Sequence, residues 1–225
     1  MRILRLAYFE NEIDLDNTFL LSVVIENKQL FYKFCLYCYD DFPDRYFSFV
    51  ILEDGKILDN DKSIHFISHP FSLDLNSKRN INALYKLLKK KYYSELEEDI
   101  FALKSKVLDI AGKISLDFDI DLVVNSDISE DDLFKMMKLE FKDWDEMDLT
   151  TRFIKYIQII YELQNIRVFV IPFLSSFFDE PAIEIIKKEI SYLGITLISI
   201  DNNNFLASSL SDKTIILDSD LCAIE

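Results

Sequence analysis

Residues 166–174 read IRVFVIPFL and residues 195–201 read ITLISID, with the stretch PAIEIIKKEISYL between them at 181–193. IRVFVIPFL reads as a continuous apolar run, the pattern of a strand buried on both faces of a parallel sheet, and ITLISID as a second buried strand. Asp179 and Pro181 predict the start of an intervening helix, and Gly194 predicts its end. A third run, TIILD at 214–218, follows. Strand, helix and strand at this spacing predict a right-handed parallel unit, so the fold class is α/β.

Upstream, the first 75 residues read mostly as strands. RILRLAYF (2–9), the alternating ENEIDLD (10–16) and FLLSVVIE (19–26) are short β-rich runs broken by polar residues. Helical spacing takes over from Asn27 to Tyr39, with Leu30, Phe34 and Tyr37/Cys38 on one face. FSFVILEDGKIL (47–58) carries Asp54-Gly55 between two apolar runs, a hairpin signal. SIHFISHP (63–70) is one more short strand, stopped by Pro70.

From Ser77 the character changes. Ile81, Leu84, Leu88, Tyr92, Leu96, Ile100, Leu103, Val107 and Ile110 recur at steps of three and four. They predict a single helix roughly 50 Å long at ~1.5 Å per residue, too long for an ordinary compact domain and suited to a leg or assembly element. LDFDIDLVV (116–124) alternates like a strand, and Ser129 with Asp132 predicts a capped short helix. A second long helix is expected from Asp148 to Asn165, with Leu149, Phe153, Ile157 and Ile160 set to pack on the first. The expected organisation is an α/β head of residues 1–75 and 163–225 with a helical leg, 76–162, inserted into it.

Composition removes several function classes. Half the residues are apolar, ample for a packed core. With glycines at 55, 112 and 194 alone, neither a dinucleotide fingerprint nor a phosphate-cradling loop can be built. Val23-Val-Ile-Glu-Asn-Lys28 leads from strand to helix where a nucleotide-binding protein places its phosphate loop, yet it has no glycine and no Ser or Thr after Lys28. No G-x-S-x-G elbow occurs. An acid-bearing start, three cysteines, and no run of the ~18–20 apolar residues a membrane span needs predict a cytoplasmic protein without a membrane partner.

Two motifs have a bland reading that is the stronger one. Cys35-Leu-Tyr-Cys38 with His65 and His69 imitates a zinc set, but 26 residues separate the pairs. Four strand steps also put the histidines roughly 13 Å apart at ~3.3 Å per residue, whereas zinc binds imidazole nitrogens at about 2.1 Å. Asp44 followed by Asp54-Gly-Lys56 imitates a divalent-metal nuclease, in which two acids share an ion that activates water. Asp54 reads as the hairpin turn itself, which points its carboxylate to solvent.

Charge is segregated. The chain carries a net −15, yet residues 78–91 hold Lys78, Arg79, Lys86, Lys89, Lys90 and Lys91 with no acid. This run is either a solvated helix face or a surface that tracks phosphates. Residues 116–148 hold twelve acids against three lysines. Asp117, Asp119 and Asp121 share one strand face, compatible with a solvated edge strand or with a calcium site.

The order of segments resembles a known family. FLLSVVIE is followed by NKQLFYKFCLYCYDD with its YCY centre, then SIHFIS and LDLNSKRNINALYKLL entering the leg. LDFDID, SEDDLFK and KYIQIIYELQNIRVFVIPFLSSF come next, and LISID closes the series. In this order they resemble the accessory protein of type II-A CRISPR adaptation, needed for spacer acquisition. The resemblance implies an α/β head related to P-loop proteins but without a nucleotide site, plus a helical leg, and no catalysis. It further implies a homotetrameric ring that threads double-stranded DNA from its ends, inner-wall lysines, and Ca2+ stabilising the ring. Implied partners are the CRISPR integrase complex and the type II effector nuclease. By position the calcium ligands would be Asp117, Asp119, Asp121 and Asp132, while Lys28, Lys86, Lys89 and Lys90 are chosen for DNA from charge alone. Two other classes remain beside it: the Asp44/Asp54/Lys56 nuclease, and a protein-only scaffold of the adaptation complex.

Overall fold

A computed structural model describes residues 1–39, 49–116, 129–142, 144, 146–203 and 210–224. The described chain divides into two compact units: Met1–Asp74 with Trp144–Glu225, and Leu75–Asp143.

The first unit holds two sheets. The larger has the order β10-β9-β3-β8-β7-β6, built from β3 (Leu20–Ile25), β6 (Ile64–Phe66), β7 (Val168–Pro172), β8 (Thr196–Asp201), β9 (Lys213–Leu217) and β10 (Ala223–Ile224). All its pairings are parallel except β10 with β9. Every residue of β3, β7 and β8 is buried, which is why their sequences are mainly apolar and do not alternate with exposed polar positions; Ser22, Thr196, Ser199 and Asp201 are the buried polar residues among them.

The smaller sheet is antiparallel, in the order β2-β1-β4-β5, from β1 (Arg2–Leu6), β2 (Ile13–Asp14), β4 (Phe49–Glu53) and β5 (Lys56–Ile57). Asp54 and Gly55 turn β4 into β5 with φ of 49° and 77°, the pair of positive values a two-residue hairpin of matching twist demands. The run ENEIDLD contributes only the two residues of β2, with Ile13 and Leu15 buried and Glu10, Glu12 and Asp16 exposed.

Among the described residues this unit carries, besides the turn α2 (Asn60–Ser63), the helices α1 (Lys28–Tyr39), α5 (Leu149–Gln164), α6 (Leu174–Phe177) and α7 (Glu180–Tyr192). Asn27 Oδ1 caps α1 by accepting from the backbone N–H of Gln29 and Leu30. The helix then lies on β3, β6, β7 and β8. Asp179 caps α7 by accepting from Ala182 N at 3.0 Å, and Gly194 leaves it with φ 63°, the left-handed value glycine adopts without strain. Asp148 caps α5.

Helix α5 departs from the expected leg and packs on α7 within the first unit. Phe153, Ile157 and Ile160 are fully buried there, and only three residues link the helix to β7, so the strand carries the helix with it. The second unit contains α3 (Lys78–Leu116), a 39-residue helix, and α4 (Glu130–Met136) packed on it. The expected strand at 116–124 lies outside the described residues.

Candidate nucleic-acid interface

Helix α3 sets the geometry of the basic run. Tyr85 is buried, and its ring stacks on Phe134 of α4 with centroids 6.4 Å apart and planes 29° apart. One helical turn on, Lys89 occupies the same side of α3 (i, i+4), and on α4 Asp131 precedes Phe134 by three residues. The same register that stacks the rings therefore brings Lys89 Nζ to 3.4 Å from Asp131 Oδ1. Lys86 and Lys90, about 100° further round the helix per residue, are exposed. Lys91 Nζ lies 5.4 Å from the centre of the neighbouring Tyr92 ring. Three of the four predicted DNA-contacting lysines thus fall within little more than one turn. Lys28 belongs to the other unit, exposed at the start of α1 beside the Asn27 cap.

Helix α4 begins with a capping box. Asp132 N donates to Ser129 Oγ, while Asp132 Oδ2 accepts from Ser129 N at 3.3 Å and from the Ser129 hydroxyl at 2.6 Å. The Ser129 hydroxyl holds the Asp132 carboxyl below its ordinary pKa, with its backbone N–H and Lys135 adding to the shift. Lys135 Nζ stands 4.0 Å from Oδ1. Asp132 is therefore an ionised oxygen donor whose Oδ2 is committed to the cap, and it could offer Oδ1 to a cation. Asp117, Asp119 and Asp121, the other expected calcium ligands, lie outside the described residues.

The remaining predicted residues take structural places. Asp54 Oδ1 accepts from the Met1 ammonium at 2.9 Å at the hairpin turn, and Lys56 opens the exposed β5. Asp44 lies outside the described residues. Cys38 is buried in the core and Cys35 packs against it. Burial pushes the Cys35 thiol up to about 11, with the Asp201 carboxylate adding to the rise. His65 Nε2 shares a hydrogen bond of 2.9 Å with the Tyr156 hydroxyl. Among the described residues no group of three or more His, Cys, Asp or Glu side chains is placed to hold a metal, and no helix is long and apolar enough to cross a membrane.

Phe31, in the first turn of α1 after β3, and Phe173, directly after β7, both lie at the carboxyl end of the parallel sheet, where such sheets ordinarily receive a ligand. The Phe31 and Phe173 rings meet there edge to face, centroids 5.1 Å apart. Phe173 is held at φ 59°, a costly value for a bulky side chain, while its N–H donates to Ile200 O. At the end of β8, sequence reading missed Asp201. It is 1% exposed, its Oδ2 accepts from the Ser199 hydroxyl at 2.6 Å, and its buried Oδ1 has no hydrogen-bond partner. An acid at the end of a strand otherwise fully buried, two residues after Ser199, is the signal that could have found it.

Burial raises the Asp201 pKa, opposed by the Ser199 hydroxyl. A carboxyl with a raised folded-state pKa favours folding less as it ionises. The penalty is absent below the ordinary value, grows through the window up to the folded value and is complete above it. Asp201→Asn removes the ionisation, so its melting temperature relative to the parent should become more favourable as pH rises from about 4 to about 8. Parallel melts of the two proteins across that range check this, and a difference independent of pH contradicts the buried charge.

Comparison with known proteins places the whole molecule. Residues 43–221 match the family model described as CRISPR-associated protein (Cas_Csn2). No curated protein matches the chain in sequence. The fold is similar to that in the crystal structure of Stu0660 of Streptococcus thermophilus, with a TM-score of 0.57, 14% identity, and coverage of 97% of this chain and 74% of that one. With the family model spanning most of its length, the chain belongs to the Cas_Csn2 family of CRISPR-associated proteins.

Proposed function

We propose that the chain is a non-catalytic, double-stranded DNA-end-binding protein that acts in CRISPR spacer acquisition as a calcium-stabilised homotetrameric ring. The observation that carries the reading is the acid-free basic run of residues 78–91 at the start of α3, with Lys86 and Lys90 exposed, in a family member whose net charge is −15. A chain so acidic repels DNA as a whole, so a phosphate-binding surface has to be a local concentration of the opposite sign. Lys89 and Lys28 complete the set. Assembly is supported by apolar side chains left open along the far half of α3: Phe101 is 71% exposed, and Ile110 and Ile114 are each 50% exposed. Further copies of the chain would cover them.

Calcium is the ion of this reading because it accepts six to eight oxygens at loosely fixed angles. Asp117, Asp119, Asp121 and Asp132 are its ligands here, and each ion cancels two negative charges in the most acidic part of the chain. The ring works in the cytoplasm beside the integrase complex and the type II effector nuclease.

The test combines solution mass with two DNA topologies. In calcium the protein should have a tetrameric mass and bind linear duplex, while relaxed closed circles of the same sequence bind far more weakly, since a closed ring can be entered only from an end. Chelation should weaken both assembly and binding. Equal affinity for circles and linear fragments excludes threading, and degradation of DNA in magnesium favours the Asp44, Asp54 and Lys56 nuclease instead.

A further inference from the structure

We infer that a cleft in the first unit, between the small sheet and the start of β7, binds a small organic anion, a carboxylate or a phosphate monoester. Arg167 and Arg2 supply the positive charge for its oxygens, and Ile51, Leu58 and Val168 the apolar surface for its carbon body. The inference is independent of the DNA-binding role proposed for α3.

The cleft has a volume of about 380 Å³, at the small end of the ~300–1,000 Å³ typical of ligand sites. One wall is a single face of the small sheet. In the β1–β4 register Arg2 opposes Glu53, so their side chains share that face, and Ile51, two residues before Glu53, shares it too. The other wall is the link from α5 to β7. Asn165 leaves α5 with φ 55°, and Arg167 O accepts from Thr196 N at 2.8 Å, so the backbone that carries Arg167 and Val168 is fixed. Leu58 also lines the cleft, as do Lys62 and Asp59, whose charges pair at 2.9 Å.

The two guanidinium groups are held differently. The Arg2 side chain is 11% exposed, its Nε donates to Asp16 Oδ1 at 2.8 Å and its Nη2 to Gly194 O at 3.2 Å. Its Nη1 is buried without an acceptor, the condition that a bound acceptor relieves. Arg167 is exposed, and among the described residues its side chain meets Tyr161 and no carboxylate. Nη2 lies 3.5 Å from the Tyr161 hydroxyl and Cζ lies 5.6 Å from the ring centre. One guanidinium is thus locked in place, while the other can turn its planar fork onto an incoming carboxylate or phosphate. Glu53, whose charge also acts on the Met1 ammonium, opposes an anion and keeps its affinity modest. The apolar lining favours an anion with a hydrocarbon body over the bare ion.

The experiment is calorimetry of the full chain with four probes at matched ionic strength: inorganic phosphate, phenyl phosphate, acetate and benzoate. Phenyl phosphate or benzoate should bind saturably, one per chain, and more tightly than its bare counterpart; the tighter of the two tells a phosphate site from a carboxylate site. Arg167→Ala should weaken that binding by about ten- to a hundredfold. Glu53→Gln should tighten it by about 1.4- to 5-fold. Both side chains are exposed, so the variants should melt with the parent in the absence of probe. Lys113→Ala, which removes an exposed lysine of α3, supplies the comparison for a general charge effect and should bind as the parent does. Absence of saturable binding by all four probes overturns the site, as does undiminished binding by Arg167→Ala or an equal loss in Lys113→Ala. Should Arg167→Ala melt early, Glu53→Gln decides instead, and its failure to tighten binding rejects the inference.

Discussion

Replacing Lys86, Lys89 and Lys90 together by alanine should weaken binding to linear duplex DNA by about a hundredfold at ~0.15 M salt. The size follows from counterion release. Each phosphate neutralised contributes about 0.9 to the slope of log affinity against log salt, so losing three contacts lowers the slope by about 2.7. Lys86 and Lys90 should supply most of the loss, because Lys89 must first leave Asp131. Since phosphates carry no sequence information, every duplex sequence should be affected alike.

Stability should scarcely change. Lys86 and Lys90 are exposed like charges four residues apart, so their removal relieves a small repulsion and introduces the best helix former. A triple variant that melts with the parent yet keeps its affinity and its salt slope would show that DNA runs elsewhere on the molecule. Titrations at three or more salt concentrations, with melting curves of the same samples, separate these outcomes.

The legible parts of this fold were those in which burial is uniform. β7 and β8 are buried at every position, so their apolar runs could be read only as interior parallel strands, and Asp179, Pro181 and Gly194 marked the helix between them. The long α3 was equally plain, since its stripe runs from Ile81 to Ile110 without a glycine or proline. Periodicity says which face of a helix is apolar but not what covers it, which explains the misplaced α5. Its stripe of Phe153, Ile157 and Ile160 could have matched α3 as well as α7, and the choice was made by its three-residue link to β7. The division into two sheets was likewise hidden, because β1 and β4 carry the same apolar content as strands of the larger sheet.

At the candidate interface, the lysines could be picked out from charge segregation alone. Their inequality could not. That Lys89 faces Asp131 while Lys86 and Lys90 face outward depends on the Tyr85–Phe134 register, a pairing between residues distant in the chain. The buried Asp201 was missed for a related reason: an acid at a strand end reads as solvated unless the helix that covers it is known.

Phe49→Ala should be the most destabilising single change in the first unit, at about 3–5 kcal/mol. Phe49 is 1% exposed and belongs to the smaller sheet through β4. Its ring meets Phe34 of α1 at 5.4 Å and Phe66 of β6 at 5.6 Å, both edge to face with planes 74° and 75° apart. One side chain thus ties the small sheet to the helix covering the large sheet and to that sheet's edge strand. Truncation leaves a cavity that rigid strands on both sides cannot close. It also removes two aromatic contacts of about 0.5–1.5 kcal/mol each beyond the area lost. Against a total stability of about 5–15 kcal/mol for a domain, this approaches the limit of what the unit can lose. Phe49→Leu, which keeps most of the volume, should lose far less. In a cycle with Phe34→Ala the two losses should be less than additive, since each removes the same contact. Denaturant midpoints of the four proteins measure this. A Phe49→Ala loss below about 1 kcal/mol, or strict additivity with Phe34→Ala, would mean that the small sheet is held to the large one by the β1 side of the interface, through Leu4 and Leu6, and not by the aromatic ladder.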